Sequence, residues 1–392
     1  MITGTRAEFG TLEPVLKAIA RRGQLARAVP LGVARLDSRL IVTGMHLLAK
    51  FGRTIDEIRG KGYRIDETVR MQTGRDDAVA QAAAVARGVD GIAAALDRLG
   101  CDIVLVLGDR IEAFAGACAG AITRRVVAHS HGGDRAPGDI DEPLRNAITR
   151  LAHVHLAASR DAARRLMRMG EPQERIHVVG APGLDAIRDF RRAERRSPGR
   201  TSRRLAELIG TVAEQRYAVL VQHPCGRDPE TEASVTRRAI GAIERAGLAG
   251  VAIWPNSDPG HDGIIRELGR LTGRPAWRVF RSLVREDYLR LVHRSAVLVG
   301  NSSSGIIESA SLGVCAVNIG GRQAGRLRCG SSVIEVDETA SAIQRAITSA
   351  LARRRPDPGK SVYGDGRAGE RIARILSKVR VDDATLRKVL SY

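Results

Sequence analysis

The chain has 392 residues, more than a single hydrophobic core usually supports, so its length predicts two domains. The formal net charge is +19, but the basic residues are scattered and aromatic residues make up only 3% of the chain. A nucleic-acid surface would combine clustered basic residues with aromatic side chains that stack on bases. The composition therefore argues against a nucleic-acid partner, whereas a basic cleft would suit an anionic substrate.

The chain offers no sign of a membrane or secreted protein. No apolar run approaches the roughly 20 residues that a bilayer span needs, so we expect no membrane association. The opening residues MITGTRAEFG have neither a basic leader nor an apolar signal core, which predicts a cytoplasmic protein. Five cysteines without a CxxC pair indicate reduced thiols rather than disulfides or structural zinc.

Apolar runs alternate with amphipathic stretches along the chain, a pattern typical of parallel α/β sheets. The first strand, Met1–Thr3, is shorter than the usual ~5–6 residues. The clearest further strands are Ile103–Leu107, Arg125–His131, Tyr217–His223, Gly250–Pro255 and Ala296–Gly300. The charged segment Phe190–Arg204 contains Ser-Pro-Gly and predicts a connection between domains of residues 1–189 and 190–362.

Two polar turns follow strands in the first domain. In GTRAEFG, Arg6 lies between a strand and a helix, where a phosphate could meet a guanidinium and helix N-terminal amides. In GDRIE, Asp109 and Arg110 follow the strand Ile103–Leu107. From the turn alone, the commoner role of Asp109 is a helix N-cap.

A third turn lies in HSHGGDRAPGDIDEPLRNAITRLAHVH, residues 129–155. Strand alternation places His129 and His131 on one face, and Asp141 precedes a Glu-Pro pair that suits a helix start. Metal ligand, acid/base group and helix cap are all possible roles for His131 and Asp141. Because the sequence has no second HxH and no HExxH motif, a metal site is the weakest of the three.

The second domain carries two comparable turns. In QHPCGRD, His223 lies at a strand end, where a lone histidine is more often structural than catalytic. In GNSSSG, small residues allow close backbone approach, and Ser302 and Ser303 at a helix start could hold a pyrophosphate. Glu308 lies one helical turn further on, where a carboxylate could accept hydrogen bonds from sugar hydroxyls.

Assembled in chain order, these motifs continue beyond the turns. They comprise GTRAEFG, GDRIEA, HSHGGD with GDIDEPLRNAITRLAHVH, QHP, WPNSDPG (Trp254–Gly260), GNSSSGIIES, NIGGRQAGR (Asn318–Arg326) and YGDG (Tyr363–Gly366). The chain resembles, over almost its whole length, the hydrolysing UDP-N-acetylglucosamine 2-epimerases of bacterial sialic-acid and legionaminic-acid-type pathways. It is also similar to the epimerase half of the bifunctional animal enzyme.

The resemblance implies an α/β fold with two Rossmann-like domains whose parallel sheets face a central cleft, as in the glycosyltransferase-B class. A C-terminal helical segment, residues 363–392, would return to the first domain. The resemblance further implies a nucleotide-sugar substrate, no cofactor, no metal, and a homodimer or homotetramer.

The resemblance also implies roles for particular residues. Positions matching the family's nucleotide and substrate contacts are Arg6, Arg110, His223, Asn256, Ser302, Ser303, Glu308 and Arg322. Positions with proposed catalytic roles are Asp109, His131 and Asp141. His131 stands where the animal enzyme and non-hydrolysing relatives have glutamate, so a carboxylate role does not transfer, although an imidazole can shuttle a proton near neutral pH.

The reaction that the resemblance implies is an elimination followed by a hydration. UDP leaves C1 of UDP-N-acetylglucosamine as C2 loses its proton, and water then adds to the 2-acetamidoglucal to give a free N-acetylmannosamine-type sugar. Two alternatives stay open: the same reaction on a UDP- or GDP-2,4-diacetamido-2,4,6-trideoxy hexose, and a non-hydrolysing epimerisation that retains UDP.

Overall fold

The computed structural model describes residues 1–28, 36–73, 77–135, 140–197, 199–359 and 361–391. The chain divides into two compact units. Unit 1 comprises Met1–Asp134, Ile140–Ala186 and Tyr363–Tyr392, and unit 2 comprises Arg135–Asp139 and Ile187–Val362.

Unit 1 is built on parallel strands separated by helices. Its strands are β1 (Ile2–Thr3), β2 (Ile41–Thr43), β3 (Glu67–Val69), β4 (Ile103–Leu107), β5 (Val126–Ser130), β6 (Val154–Ala157) and β7 (Ile176–Val178). They form a three-stranded sheet, β1-β2-β3, and a four-stranded sheet, β4-β5-β6-β7, and β1 also contacts β4. The apolar run of β4 is buried on both faces, as parallel strands covered by helices require.

The helices of unit 1 connect and cover these strands. They are α1 (Arg6–Ala28), α2 (Ile55–Gly60), α3 (Ala78–Arg98), α4 (Ile111–Ile122), α5 (Asp141–Leu151) and α6 (Arg160–Arg168). Helix α7 (Gly183–Arg196) begins in unit 1 and continues into unit 2. The polar turns at the carboxyl ends of β1, β4 and β5 lead into α1, α4 and α5.

Helix α3 is long and apolar enough, by length and composition, to cross a membrane, with a mean hydropathy of 1.3 over its most apolar window. Arg87 and Asp90 interrupt its Ala-rich sequence, so α3 meets this criterion through its average hydropathy and not as an unbroken apolar run. A core helix passes the same test. One face of α3, including Ile92 and Leu96, is buried in the core of unit 1, and α3 packs against α4.

The C-terminal segment packs on unit 1. It contains α14 (Ala368–Leu376) and α15 (Asp383–Leu386), and α14 lies against α1. The carboxylate of Asp185 accepts hydrogen bonds from the backbone N–H groups of Ala368 at 2.9 Å and Gly369 at 2.8 Å, so it satisfies the first amides of α14. The predicted return of a C-terminal helix to the first domain is confirmed.

Unit 2 has one six-stranded parallel sheet with the strand order β10-β9-β8-β11-β12-β13. Its strands are β8 (Tyr217–Val221), β9 (Ala249–Ile253), β10 (Trp277–Phe280), β11 (Val297–Gly300), β12 (Ala316–Ile319) and β13 (Val333–Val336). Its helices are α8 (Arg200–Ile209), α9 (Pro229–Arg245), α10 (His261–Gly269), α11 (Arg285–Arg294), α12 (Ser303–Ile307) and α13 (Ala340–Ala352). The chain order reverses between β8 and β11, the topological switch point where open α/β sheets bind ligands.

The five clearest predicted strands are all present. Ile103–Leu107 is exact, and the other four differ by one or two residues at one or both ends. The differences of two residues lie at the carboxyl ends of β8 and β9, where the chain leaves the sheet before His223 and Pro255. The predicted α/β class with two Rossmann-like parallel-sheet units is confirmed.

Candidate active site

Arg6 begins α1 directly after the β1 turn. Its Nε lies 2.6 Å from Oε2 of Glu57 in α2, and the Arg6 side chain is about 20% exposed. A phosphate at this position would share the guanidinium with a carboxylate. The predicted phosphate contact of Arg6 stays a prediction.

A buried carboxylate that the sequence analysis missed lies between the turns of β1, β2 and β4. Glu112 is fully buried, and a side-chain carbon at Gly4 would come within 2.5 Å of its Cγ, so these turns leave room for Glu112 only because Gly4 lacks a side chain. Arg110 Nε lies 3.2 Å from Oε2 of Glu112. Arg110 was predicted to contact the substrate, and at least its Nε group is already paired with Glu112.

Glu8 in α1 is a second buried carboxylate near this point. Its Oε2 accepts a hydrogen bond of 2.6 Å from the backbone N–H of Gly4. Burial, and then the nearby charge of Glu112, raise the pKa of Glu8 from 4.5 to about 8. Glu8 therefore keeps its proton at neutral pH in the folded protein, whereas it is ionised in the unfolded chain.

We expect Glu8→Gln to gain stability relative to wild type as pH rises from about 5 to about 8. Below pH 4.5 both states of the wild type are protonated at Glu8; between 4.5 and about 8 only the folded state binds the proton, so wild-type stability falls progressively with pH. Glutamine mimics the neutral side chain and does not titrate. The difference in unfolding free energy, measured by urea denaturation, should change by a few kcal/mol over this range.

Glu13→Gln is the matched control, because Glu13 is also a buried glutamate of α1. Burial acts to raise the pKa of Glu13, but Lys17 and Lys61 outweigh it, and the pKa is lowered. The Glu13→Gln difference from wild type should therefore be unfavourable and constant above about pH 5. A Glu8→Gln difference that is equally constant would contradict a neutral Glu8.

Asp109 follows β4 and accepts a hydrogen bond from Nη2 of Arg145 in α5. The N-cap of α4 is Arg110, and no side chain caps this helix, so the N-cap role suggested by the turn alone was wrong for Asp109. Arg145 is only 1% exposed, and its Nη1 donates to the backbone oxygen of His131 at 3.2 Å. One buried guanidinium therefore joins Asp109 to the His131 turn.

His131 does not continue the strand alternation. Strand β5 ends at Ser130, and His131 has φ +65°, in the left-handed region, so the prediction that His129 and His131 share one strand face was wrong. His129 is fully buried, and burial lowers its pKa to about 3, so its neutral ring donates from Nε2 to the Gly108 oxygen at 2.7 Å. His129 is a structural residue of β5.

Asp141 is the first residue of α5, and Ile140 is the N-cap, so the alternative role of Asp141 as a cap was wrong. Its side chain is half-buried. The N-terminal end of a helix favours a negative charge, which suits an ionised carboxylate that accepts a proton. Asp141 and Arg145 lie on successive turns of the same helix.

In unit 2, His223 and Asn301 link the carboxyl ends of β8 and β11. Asn301 Oδ1 accepts from the His223 N–H at 2.7 Å, and its Nδ2 donates to the His223 oxygen at 2.8 Å. His223 Nδ1 accepts from the backbone N–H of Asn256 at 3.1 Å. The ring proton of His223 is therefore on Nε2, the donor that a phosphate oxygen requires.

The predicted residues Asn256 and Arg322 lie around the same strand ends. Asn256 Nδ2 donates to Asp258, and its Oδ1 is buried with no hydrogen-bond partner among the described residues. Nη1 of Arg322 approaches the backbone oxygen of Asn301 at 3.5 Å. His223 and Arg322 thus both contact Asn301, which sequence analysis had not singled out, and Asn256 joins them through the His223 ring.

Ser302 and Ser303 begin α12, and Ser302 is its N-cap. Gly300 precedes them with φ +127°, and any side chain there would overlap the backbone of Val221 in β8. The glycine therefore lets the Ser302 turn lie directly against the end of β8. This turn is at the switch point of the unit 2 sheet.

Glu308 is buried and already has strong partners. Arg285 holds it with two hydrogen bonds, from Nη1 at 3.0 Å and Nη2 at 2.6 Å, and Ser304 Oγ donates to it at 2.8 Å. Oε2 accepts from both Arg285 and Ser304, whereas Oε1 accepts from Nη2 of Arg285 and can accept a second hydrogen bond. The geometry is compatible with the predicted sugar-hydroxyl contact, and Arg285 would fix the carboxylate in place.

No group of three or more His, Cys, Asp and Glu residues in the described ranges could hold a metal ion.

The two histidines that follow α5 make local buried contacts. His153 Nδ1 accepts from the Val127 N–H at 3.0 Å, and His155 Nε2 lies 2.8 Å from Oε2 of Glu171.

Two Rossmann-like units with polar strand ends define the chain as a protein of the glycosyltransferase-B-like class. Two solved UDP-GlcNAc 2-epimerases share this fold. The Methanocaldococcus jannaschii enzyme, in complex with UDP-GlcNAc and UDP, has a TM-score of 0.77 at 19% identity and covers 96% of this chain and 98% of its own. The Neisseria meningitidis enzyme, bound to UDP-GlcNAc, has a TM-score of 0.74 at 16% identity and covers 96% and 99%.

Sequence comparison identifies the family. Residues 32–377 match the UDP-N-acetylglucosamine 2-epimerase family, and the chain belongs to that family. A UDP-N,N'-diacetylbacillosamine 2-epimerase (hydrolyzing) from Legionella pneumophila is 32% identical over 391 residues, covering 100% of this chain and 98% of the relative. A UDP-N-acetylglucosamine 2-epimerase from Neisseria meningitidis is 32% identical over 351 residues, covering 90% and 86%. The resemblance inferred from the motifs is confirmed.

Proposed function

We propose that the protein is a hydrolysing 2-epimerase that converts UDP-N-acetylglucosamine, or a close UDP-2-acetamido sugar, to UDP and a free N-acetylmannosamine-type sugar. Family membership supports 2-epimerisation of a nucleotide sugar. The hydrolysing course is supported by the Legionella relative, which is of the hydrolysing type and aligns along the whole chain.

The proposed chemistry needs acid/base groups at two faces of the sugar. A base removes the C2 proton while the bond between C1 and the UDP oxygen breaks, which leaves UDP and a 2-acetamidoglucal. An acid then delivers a proton to the opposite face of C2 as the hydroxyl of a water molecule adds to C1; the remaining proton of that water restores the acid, and the base releases the C2 proton to solvent. Asp141, Asp109 and His131 are the proposed acid/base groups, and each such transfer typically contributes 10²–10⁴-fold.

The nucleotide would be held by the strand ends of unit 2. Donors there that could stabilise the departing diphosphate are the Nε2–H of His223, the Ser302 turn and Arg322. Glu308, fixed by Arg285, would accept from the ribose hydroxyls. These assignments require no cofactor.

The observation that carries the proposal is the buried Arg145. It holds the carboxylate of Asp109 and the backbone of His131 with one guanidinium, so two residues that can exchange protons are fixed together at adjacent strand ends. Catalytic acids and bases must be held in such fixed geometry to act efficiently.

A 2,4-diacetamido-2,4,6-trideoxy hexose is the second candidate substrate. The observation that favours it is the alignment with the Legionella diacetylbacillosamine epimerase, which extends over 100% of the chain, whereas the Neisseria enzyme aligns with 90% at the same identity. Under this alternative the reaction is unchanged, and UDP or GDP is the leaving group.

Incubation with UDP-N-acetylglucosamine and with UDP-N,N'-diacetylbacillosamine, followed by NMR in D₂O, tests both candidates. UDP together with a free sugar deuterated at C2 supports the proposal, and the faster substrate identifies the sugar. UDP-N-acetylmannosamine alone would indicate a non-hydrolysing epimerase. Binding without turnover would indicate a nucleotide-sugar sensor, and turnover only with an added acceptor would indicate a glycosyltransferase.

We further propose a cytoplasmic homodimer or homotetramer. Light scattering of the purified protein measures the subunit number, and a monomer at micromolar concentration would contradict this part of the proposal.

A further inference from the structure

The turn after β5 brings two titratable side chains together. His131 has φ +65° and Gly133 has φ +74°, so two left-handed residues reverse the chain within HGGD. A side chain at Gly133 would overlap the backbone oxygen of Ala162 in α6, so only glycine fits there. The reversal returns Asp134 to the ring of His131. A left-handed histidine costs energy, and such costs persist where the surroundings enforce them.

The contact is a buried hydrogen bond. Nδ1 of His131 lies 2.9 Å from Oδ2 of Asp134, and the residues are 7% and 6% exposed. An ionised carboxylate can only accept a hydrogen bond, so Nδ1 is the donor and carries the proton. The Nε2 of the neutral ring then has the lone pair, and it is the nitrogen that can take a proton from a bound molecule.

The surrounding elements hold this turn in place. From α5, Arg145 donates to the His131 oxygen at 3.2 Å and binds Asp109 of the β4 end. From α6, Arg165 Nε donates to the Gly133 oxygen at 2.5 Å. From β5, His129 is kept neutral by burial. Both cations bind the backbone of the turn, and Asp134 is the carboxylate that binds the imidazole.

We propose that Asp134 is a positioning residue that fixes His131 as the Nδ1–H tautomer and thereby makes Nε2 the acid/base atom of the reaction. The acid/base role of Nε2 rests on the proposed function. The Nδ1–H tautomer rests on the His131–Asp134 contact alone. Asp134 was absent from the residues expected from sequence. The Asp134 carboxylate places a negative charge beside His131, the position where relatives carry a glutamate. The His131 imidazole transfers the proton.

The tautomer can be measured without any activity. In protein labelled with ¹⁵N-histidine, the His131 signals are assigned by their absence in His131→Gln, and their shifts at pH 8 distinguish protonated Nδ1 from protonated Nε2. We expect protonated Nδ1 in wild type and loss of this preference in Asp134→Ala. Protonated Nε2 in wild type, or an unchanged tautomer in Asp134→Ala, would overturn the proposal.

The kinetic test is a double-mutant cycle. Asp134→Asn should lower kcat by roughly 10²-fold or more with little change in KM and in melting temperature, since an amide in place of the carboxylate that orients a catalytic histidine leaves the geometry intact but favours the wrong tautomer. Asp134→Glu should recover part of the loss. In the His131→Gln background, Asp134→Asn should have no further effect, because the two residues act as one unit. An equal loss in both backgrounds would mean that Asp134 acts independently of His131, against the proposal.

Failure of the proposed function has a different signature. If wild type turns over no nucleotide sugar but the NMR experiment gives the Nδ1–H tautomer that depends on Asp134, the positioning contact holds and the assigned reaction is wrong. If turnover is normal and the tautomer does not depend on Asp134, the reaction holds and the positioning role is wrong.

Discussion

Asp141→Asn is expected to lower turnover by about 10³-fold and to leave UDP affinity unchanged. The amide has the shape of the carboxylate but cannot accept the C2 proton. Asp141 lies at the start of α5 in unit 1, whereas the proposed nucleotide contacts His223 and Ser302 belong to unit 2. Product formation followed by NMR and UDP binding measured by calorimetry separate the two effects.

Two further variants sharpen this test. Glu142→Gln changes the neighbouring carboxylate in the same helical turn, and Asp97→Asn is a surface control in α3, where the Asp97 side chain is 85% exposed. We expect near-normal turnover in Asp97→Asn. Loss of turnover in Glu142→Gln with normal turnover in Asp141→Asn would transfer the catalytic role to Glu142, and normal turnover in both would remove this helix start from the mechanism.

The strands and the turns that follow them could be predicted because a buried parallel strand appears in the sequence as a continuous local run of apolar residues. The run IVLVL gave β4 with both ends correct, and the polar residues after β4, β8 and β11 lie at carboxyl ends of parallel strands. Even the short first strand was correct, since β1 has only two residues. Motif order then identified the family, because each motif alone is a common turn but their succession is specific.

The partners of the site residues could not be predicted, because they come from distant parts of the chain. Arg145 is 36 residues from Asp109, and Asn301 is 78 residues from His223. Glu112 was overlooked because a buried glutamate in the first turn of α4 has the same sequence signature as an exposed one. Asp134 was only three residues from His131, but its contact depends on a left-handed histidine, which strand alternation does not indicate.

Arg145→Met is expected to lower both activity and stability, because Arg145 is the buried link between Asp109 and the His131 turn. Methionine fills the space but leaves the Asp109 carboxylate without its cation and the His131 oxygen without a donor. Breaking a buried ion pair from one side typically costs about 3–5 kcal/mol, and the partial exposure of Asp109 places the expected loss near the lower end. Turnover should fall by roughly 10²-fold or more, because both groups lose their fixed positions. Urea unfolding and product assays measure the two effects.

Arg150→Met is the matched control, since Arg150 lies in the same helix but is more exposed and pairs with Glu171 at 3.3 Å. We expect it to cost about 1 kcal/mol and to keep normal turnover, because Arg150 is partly exposed and Lys388 and His155 still bind the buried Glu171. Arg145→Lys should be intermediate in stability but close to Arg145→Met in turnover, because one ammonium restores the charge near Asp109 yet cannot hold the carboxylate and the His131 oxygen in the geometry of a planar guanidinium. If Arg145→Met lost stability while its surviving folded fraction turned over substrate normally, Arg145 would be purely structural, and the fixed arrangement of Asp109 and His131 would no longer support acid/base catalysis at these strand ends.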